Sequence, residues 1–303
     1  MLAISTSWMN EDGAADLPRW VAFIRNLGFE AVELSYKVDR DQLACFERLL
    51  PVTGVKVSSI HNFCPTPDDG PSCRHGSNYY RLSALDEEER RAAVRWTKTA
   101  IDTACRTGAG VVVIHAGTLD FEDERSPRLF ALYADGKKET TAFVEEKQRI
   151  LGLREQRKAP HIEALDQSLD EVCAYAGECG IRIGLETRYY PLEIPNFEEI
   201  DYFLRRYGPE VMGYWHDFGH AEMNSRLGIT PHQRFLRAYG DRLIGAHIHG
   251  IKGRRDHLAP FEGDMDLEVF AEYLTEEVIR VVEAKPFASE ALMREAVARL
   301  KRN

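Results

Sequence analysis

The sequence lacks the motifs of several common enzyme classes. It contains no Walker A loop, no Rossmann glycine fingerprint and no nucleophile elbow, which argues against a nucleotide cofactor and against serine-hydrolase chemistry. No apolar run approaches the ~18 residues of a membrane span, and no basic region precedes an apolar stretch at the N-terminus. These absences predict a cytoplasmic protein that is not held in a membrane.

Paired cysteines and an excess of positive charge are also missing. The six cysteines form no Cys-x-x-Cys pair. Cys64 and Cys73 share a loop and could pair, but in a cytosolic chain we expect free thiols. The formal net charge of −10 argues against a broad surface for a polyanion such as a nucleic acid. A local basic groove and self-association into a homo-oligomer stay open.

What the sequence does contain is a regular alternation of strand-like and helix-like segments. The strands are predicted at residues 2–7, 31–35, 55–61, 110–115, 181–186, 211–217, 243–249 and 280–284. Such alternation, without a low-complexity linker, is typical of a parallel sheet built from βα units. Eight units in 303 residues fit one (β/α)8 TIM barrel, which takes ~250 residues or more. We predict this α/β fold as a single domain over residues 1–303.

One connection is too long for a plain βα unit. Residues 118–160 follow the fourth strand, and we interpret them as an insertion above the barrel mouth. A charged helical stretch is expected near residues 141–158, before a separate main helix at 162–178. The insertion is either a lid over the site or a solvated decorative helix, and both readings stay open.

Six of the predicted strands end on, or next to, a residue that commonly binds metal ions. These residues are His61, His115, Glu186, Asp217, His249 and Glu283. In a TIM barrel the carboxyl ends of all strands surround the axis at one face. A cage of three carboxylates and one imidazole is therefore expected to hold one divalent ion (Mn²⁺, Co²⁺, Mg²⁺ or Zn²⁺) and to comprise Glu186, Asp217, His249 and Glu283.

Small residues precede several of these ends. Gly184, Gly213 and Gly245 lie an even number of positions before a predicted ligand, so they share the inward face and relieve crowding below it. Each predicted ligand taken alone is equally consistent with a helix N-cap, a satisfied core histidine or a salt bridge. The set favours a metal, because several buried carboxylates without a cation are costly unless each is paired.

The order of these motifs resembles that of a known superfamily. LETR, WHDFGH, HIHG followed by GRRDHLAPFEG, and VVEAKP are similar to the motifs of xylose-isomerase-like TIM barrels. That superfamily includes sugar and sugar-phosphate isomerases and epimerases, hydroxypyruvate isomerase, inositol-catabolism enzymes and endonuclease-IV-type nucleases. The resemblance covers nearly the whole chain in strand order.

The resemblance to the ketose 3-epimerase branch implies a role for each matching residue. The four predicted ligands match the residues that hold Mn²⁺ or a similar ion there, and those matching His220 and Arg255 touch substrate oxygens. Glu186 and Glu283 match the acid/base pair. A metal that chelates adjacent carbonyl and hydroxyl oxygens acidifies the intervening C–H and stabilises the enediolate, while two carboxylates move the proton. The implied enzyme isomerises or epimerises a small sugar, sugar phosphate or related polyhydroxy carbonyl compound.

The nuclease branch gives the alternative function, a metal-dependent phosphodiesterase on abasic DNA. That branch uses additional histidines for three zinc ions, and the residues that could supply them here are His61, His115, His220 and His257. Arg255 stands where the branch has an aspartate, so the set is incomplete.

Three residues also have simpler interpretations. His61 and His115 could line the pocket and bind substrate hydroxyls rather than a second metal ion. Trp8 could stack on a sugar face or simply cap the core. A barrel that binds a sugar without turning it over is a third hypothesis, disfavoured because both acid/base carboxylates are present.

Overall fold

The protein folds into a closed barrel of eight parallel strands. The computed structural model describes residues 1–69, 79–121 and 125–302. The barrel strands are β1 (Leu2–Ser5), β2 (Ala31–Leu34), β3 (Lys56–His61), β4 (Val111–Ile114), β5 (Arg182–Glu186), β6 (Met212–Asp217), β7 (Leu243–Ile248) and β8 (Ile279–Val282). They neighbour one another in chain order, and β8 closes the ring by pairing with β1. The predicted (β/α)8 TIM barrel is confirmed.

Helices surround the barrel. They are α1 (Glu11–Ala15), α2 (Leu17–Leu27), α3 (Arg40–Thr53), α4 (Glu87–Thr107), α5 (Pro127–Ala134), α6 (Thr141–Glu178), α7 (Phe197–Arg206), α8 (Phe218–Arg226), α9 (His232–Tyr239) and α10 (Glu290–Leu300). The helix expected before β8 is a short 3₁₀ helix, Glu268–Tyr273. Two short antiparallel pairs lie outside the barrel, one joining Gly250–Lys252 to Arg255–Leu258 and the other joining Gly117–Thr118 to Glu193–Ile194.

Local signals in the sequence set the helix ends. Asn196 and Glu199 form a capping box at the start of α7, each side chain accepting from the other's backbone N–H. At α4 only half of such a box forms. Asp86 accepts from the Glu89 amide, whereas the Glu89 carboxylate accepts from Arg81 at 2.8 Å.

Helix α6 corrects one prediction. The expected break between residues 158 and 162 does not occur, and α6 runs unbroken for 38 residues with Pro160 inside it. A proline inside a helix costs about 3 kcal/mol or more, but burial of apolar residues on both sides of Pro160 offsets this cost. Phe143 and Ile150 are buried before it, and Leu165 and Leu169 after it. The first part of α6 is therefore packed against the fold, and its role as a lid stays a prediction.

The barrel interior is filled mainly by one aromatic side chain. Trp215 belongs to a small buried cluster with alanines and valines from β1, β2, β4 and β8. A Cβ on Gly245 would lie 2.1 Å from its ring, and one on Gly184 would lie 3.0 Å away. Gly184 and Gly245 thus face inward as predicted, and Trp215 occupies the space they leave, whereas a Cβ on Gly213 would lie 2.4 Å from Ile244. The Trp215 indole lies against the ring of His247, with centroids 5.2 Å apart.

Two further expectations can be compared with the described residues. Five cysteines are free thiols, namely Cys45, Cys64, Cys105, Cys173 and Cys179; Cys73 lies outside the described residues. In the same parts of the chain, none of the helices combines the length and the apolar character needed to cross a membrane.

Candidate active site

Four buried side chains converge at the carboxyl end of the barrel. Glu186 ends β5, Asp217 ends β6, His247 lies in β7 and Glu283 follows β8. Each offers one ligand atom, and these atoms all lie within 4.8 Å of one another. Barrel closure therefore brings together three of the four predicted ligands. The imidazole among them is His247 rather than the predicted His249.

His247 is surrounded by carboxylates. Its Nδ1 lies 3.0 Å from Glu186, 3.3 Å from Glu283 and 3.7 Å from Asp217. Its Nε2 lies 3.1 Å from Glu33. Burial would lower the pKa of His247, but the charges of Glu283, Glu33 and Glu186 raise it well above its ordinary value. The imidazole therefore carries a positive charge where four acidic groups face one another.

His249 lies to one side of this group and contacts Asp217. Its Nε2 is 3.1 Å from an Asp217 oxygen, and its Nδ1 accepts the backbone N–H of His257 at 3.0 Å. Because Nδ1 accepts, the Nε2 proton is the one directed at the carboxylate. The ring also stacks on His257, with centroids 4.3 Å apart. Its assignment as a metal ligand stays a prediction.

Glu33 was missed by the analysis of strand ends. It lies within β2, is fully buried, and accepts a hydrogen bond of 2.8 Å from Ser59. Its partner on the other side is His247. A glutamate inside the apolar run Ala31–Leu34 was the available signal, because a charged residue in a buried strand requires a partner.

Glu186 makes most of the polar contacts in this group. Its Oε2 lies 2.8 Å from His115, 3.4 Å from His61 and 3.7 Å from Arg188. Burial would raise the pKa of Glu186, but His115 and His247 hold it well below its ordinary value. His61 and His115 thus both reach the site, as predicted from the ends of their strands.

Asp217 combines a structural contact with a site contact. One oxygen accepts the backbone N–H of His220 at 2.7 Å and caps α8, which is the ordinary role considered for an aspartate here. The other faces His247. His220 donates from Nδ1 to the Thr187 carbonyl at 2.8 Å, and this contact places a proton on Nδ1.

A second group of possible ligands lies beside the first. Asp217, His220 and His257 bring one ligand atom each within 4.8 Å of the others. His257 also contacts Asp256 at 3.1 Å and Glu283 at 3.5 Å. Burial would lower its pKa, but these two carboxylates raise it to about 10. In its metal-free state this ring is therefore a cation.

Two predicted substrate-binding residues lie elsewhere. Arg255 is exposed on the hairpin after β7, with its guanidinium 4.1 Å from the centroid of the Phe287 ring. Trp8 is buried, donates to the Ala288 carbonyl at 3.0 Å and stacks on Phe23. The position of Trp8 favours the alternative that it caps the core, and a substrate contact for either residue stays a prediction.

A cavity of about 470 Å³ opens over the site. Its wall includes three of the site's imidazoles, those of His115, His220 and His257. Aromatic rings from α5 and from the loop after β5 line another part of the wall, and they belong to Phe130, Tyr189 and Tyr190. A space of this size, with both polar groups and aromatic rings in its wall, suits a small polar molecule.

A family comparison now agrees with the geometry. The sequence profile described as the xylose isomerase-like TIM barrel matches residues 21–303. The chain belongs to this family. The resemblance inferred from the strand-end motifs is thereby confirmed.

Several solved structures of sugar epimerases have a fold similar to that of this chain. The 3-keto-D-glucoside 4-epimerase YcjR of E. coli has a TM-score of 0.67 at 15% identity, with 100% of this chain and 99% of that chain covered. The D-psicose 3-epimerase of Clostridium cellulolyticum, solved with D-tagatose, has a TM-score of 0.67 at 13% identity, covering 99% and 98%. The D-allulose 3-epimerase of a Methylomonas species has a TM-score of 0.64 at 14% identity, covering 99% and 96%.

A curated relative shows similarity of sequence. The uncharacterised protein y4fM of Sinorhizobium fredii is 28% identical over 180 residues. The match covers 59% of this chain and 47% of the relative, so the chain spans about half the length of the curated relative it matches.

Proposed function

We propose that the protein is a divalent-metal-dependent isomerase or epimerase of a small polyhydroxy carbonyl compound, such as a sugar or a sugar phosphate. The observation that carries this proposal is the convergence of Glu186, Asp217 and Glu283 with an imidazole at the carboxyl end of the barrel. The similar fold of sugar epimerases supports a carbohydrate substrate.

The residues present fit a divalent cation. Three carboxylates and an imidazole form a mixed oxygen and nitrogen donor set, and a buried group of this kind is costly without compensating positive charge. The Glu186 Oε2 atom is buried and, although 2.8 Å from His115, makes no hydrogen bond of good geometry with the described residues. Glu186, Asp217 and Glu283 would hold the ion, with His247 or His249 supplying the nitrogen.

The two glutamates are suited to proton transfer. A cation bound here would polarise the substrate carbonyl and acidify the neighbouring C–H. Burial would raise the pKa of Glu283, but His247 and His257 hold it well below its ordinary value, as His115 and His247 do for Glu186. Both glutamates are therefore ionised at neutral pH before substrate binds. One can take the proton, and either can return it to complete an epimerisation or isomerisation.

The remaining residues position the substrate and exclude water. His220 is oriented by the Thr187 carbonyl, so its Nε2 can form a hydrogen bond with a substrate hydroxyl. Trp215 packs against His247 from within the barrel. The stacked rings of Phe130 and Tyr189, with centroids 5.6 Å apart, cover one wall, and an apolar wall strengthens the electrostatic contacts beneath it.

Hydrogen exchange tests this function directly. The protein loaded with Mn²⁺ is incubated in D₂O with a panel of ketoses, aldoses and their phosphates, and the products are followed by NMR. We expect deuterium at the carbon next to the carbonyl, together with a second isomer. If the Mn²⁺-loaded protein leaves every substrate undeuterated, as the Glu283→Gln control is expected to do, the proposal fails.

The second candidate function is a phosphodiesterase acting on abasic DNA. The observation in its favour is the additional ligand group of Asp217, His220 and His257. The Asp256 carboxylate also lies 3.1 Å from His257, near the position at which the sequence lacks the expected aspartate. Cleavage of an abasic duplex at low salt, with two or three Zn²⁺ bound per chain, would favour this function over the first.

A further inference from the structure

Arg188 is a buried cation with unused hydrogen-bond donors. It follows β5 by two residues, and its side chain is only 5% exposed. Its Nη2 donates to Glu193 at 2.6 Å. Among the described residues, its Nε and Nη1 have no hydrogen-bond partner. A Glu186 oxygen lies 3.7 Å from Nη1, which is too far for a hydrogen bond.

Glu193 holds this guanidinium in place. It also accepts the backbone N–H groups of Tyr189 and Tyr190, at 3.1 and 2.8 Å. The carboxylate is therefore held by the turn and binds only one edge of the arginine. Buried N–H groups without partners are rare because each loses its hydration. The guanidinium thus keeps two N–H donors, Nε and Nη1 on different edges, that lack an acceptor among the described residues.

The surroundings of Arg188 favour an anion as that acceptor. Arg188 lines the cavity above the axial carboxylates, together with Arg254. The two carboxylates on the described part of the cavity wall are already paired, Glu193 with Arg188 and Asp256 with His257. Arg254 therefore adds positive charge that the described wall does not balance. An always-charged guanidinium donates strong, charge-assisted hydrogen bonds to the oxygens of a carboxylate or phosphate.

We propose that the substrate carries an anionic oxygen group, a carboxylate or a phosphate, and that Arg188 binds it with Arg254 at the cavity rim. This proposal rests on the proposed isomerase function and narrows it to charged substrates. Because Nη1 is 3.7 Å from Glu186, the anionic group lies beside the carboxylate assigned to proton transfer. Arg188 would then fix which carbon of the substrate faces Glu186.

The anion can be titrated without metal and without turnover. Protein stripped of metal on a chelating resin is titrated calorimetrically with inorganic phosphate, with glycolate and with glycerol as a neutral comparison. We expect phosphate or glycolate to bind and glycerol not to bind. Tighter binding of phosphate indicates a sugar phosphate, and tighter binding of glycolate indicates a sugar acid.

Variants assign the binding to Arg188. Arg188→Met should weaken anion binding by about tenfold or more, the loss expected for a charge-assisted hydrogen bond. Arg188→Lys should weaken anion binding less. The double variant Arg188→Met/Glu193→Gln removes the carboxylate that the single change leaves unpaired, so the result does not depend on the single variant folding. Arg205→Met is the matched control, because Arg205 is exposed and pairs with Asp201 on the outer helix α7.

Two outcomes overturn the proposal. One is that neither anion binds to the wild-type protein, and the other is equal anion binding in the wild type and the Arg188 variants. Failure here is distinct from failure of the isomerase function. If the anion binds but no deuterium exchange occurs, only the isomerase function is rejected. If exchange occurs but no anion binds, the anion site is rejected and the protein is an isomerase of neutral sugars.

Discussion

Strand β6 contributes to two buried polar clusters, one on each of its faces. Asp217 points inward and belongs to the axial cluster, which we define as Glu33, Glu186, Asp217, His247 and Glu283. Tyr214 and His216 point outward, towards the helices. Successive residues of a strand alternate between faces, so one short sequence, Tyr214–Asp217, supplies both clusters.

The outward cluster is a complete chain of hydrogen bonds, which we call the outer network. Thr187 and Tyr214 are 2.7 Å apart, and Tyr214 donates to His216 at 2.6 Å. His216 then contacts His232 at 3.0 Å, and His232 contacts Glu222 at 2.9 Å. Each group is a donor to the next, ending on the carboxylate. Only the last member carries a charge, because burial lowers the pKa of His216 and His232.

The difference between the clusters separates structure from function. The outer network satisfies its members without a ligand and is therefore explained by packing alone. The axial cluster places four carboxylates around one imidazole and leaves a buried glutamate oxygen without a good hydrogen bond. Both clusters are buried except for Glu222 at the end of the outer network, whose side chain is 20% exposed. The surplus of negative charge marks the axial cluster as the candidate cation site.

The largest expected effect is on proton transfer. Glu186→Gln and Glu283→Gln should each reduce deuterium exchange by about 10²–10⁴-fold, the usual contribution of a general acid or base, because an amide cannot take the proton. The fold should persist, as judged by far-UV circular dichroism. Tyr214→Phe, in the outer network, is the matched control and should keep its exchange rate.

Full exchange in both glutamine variants would remove these residues from the mechanism. Loss of exchange in Tyr214→Phe to the same extent would mean that the two clusters do not differ in function.

The second effect is on stability with and without metal. A saturating divalent cation, at about 100 times its dissociation constant, should raise the free energy of unfolding of the wild type by about 2.7 kcal/mol. Tyr214→Phe should be less stable than the wild type by about 1–3 kcal/mol, because the His216 nitrogen loses its donor. It should still gain the same stability when the metal binds. Asp217→Asn should lose most of that metal-dependent gain. Thermal unfolding with Mn²⁺ and after chelation measures both, and an unchanged increment in Asp217→Asn would contradict the axial site.

A third prediction compares metal binding by His247, in β7, with metal binding by His249, just after β7. His247 lies among the carboxylates, whereas His249 contacts only Asp217 of that group. The geometry predicts that His247→Asn weakens Mn²⁺ binding more than His249→Asn. The family resemblance predicts the reverse order. Dissociation constants of both variants, from calorimetric titration, decide between the two.

The smallest effect is a change in pH dependence. His232 has a lowered pKa in the folded chain, so the unfolded chain takes up its proton first, near its ordinary value of about 6.5. Stability attributable to a neutral His232 is present above that pH and is lost as the pH falls. His232→Gln should therefore flatten the stability profile below pH ~6.5, by up to about 1.4 kcal/mol per pH unit.

Denaturant unfolding of metal-free protein at several pH values checks this difference. If the free energy of unfolding changes with pH equally in the wild type and in His232→Gln, then His232 is not held neutral in the folded chain.

The sequence predicted what depends on alternation and topology. The eight strands and the convergence of Glu186, Asp217 and Glu283 follow from the βα pattern and the closure of a parallel barrel. The same pattern placed His61 and His115 near the site, where the structure shows both in contact with Glu186. These features need no knowledge of side-chain distances.

The remainder depended on distances that periodicity does not supply. His247 and His249 share a strand face, so alternation could not tell which one lies among the carboxylates. Glu33 was missed because it lies one residue before the end of β2. Arg255 was expected in the pocket, but the conformation of the hairpin after β7 directs it to Phe287. The continuous α6 depended on tertiary burial that outweighs a proline signal.

Metal stoichiometry tests the axial site most directly. Equilibrium dialysis of the purified chain against Mn²⁺, Co²⁺ and Zn²⁺, followed by elemental analysis, should find one tightly bound ion per wild-type chain and none in Asp217→Asn. Two or three Zn²⁺ per chain would favour the phosphodiesterase. A wild-type chain that binds no ion, or an Asp217→Asn variant that binds it equally well, would contradict the claim that these carboxylates gather around a cation.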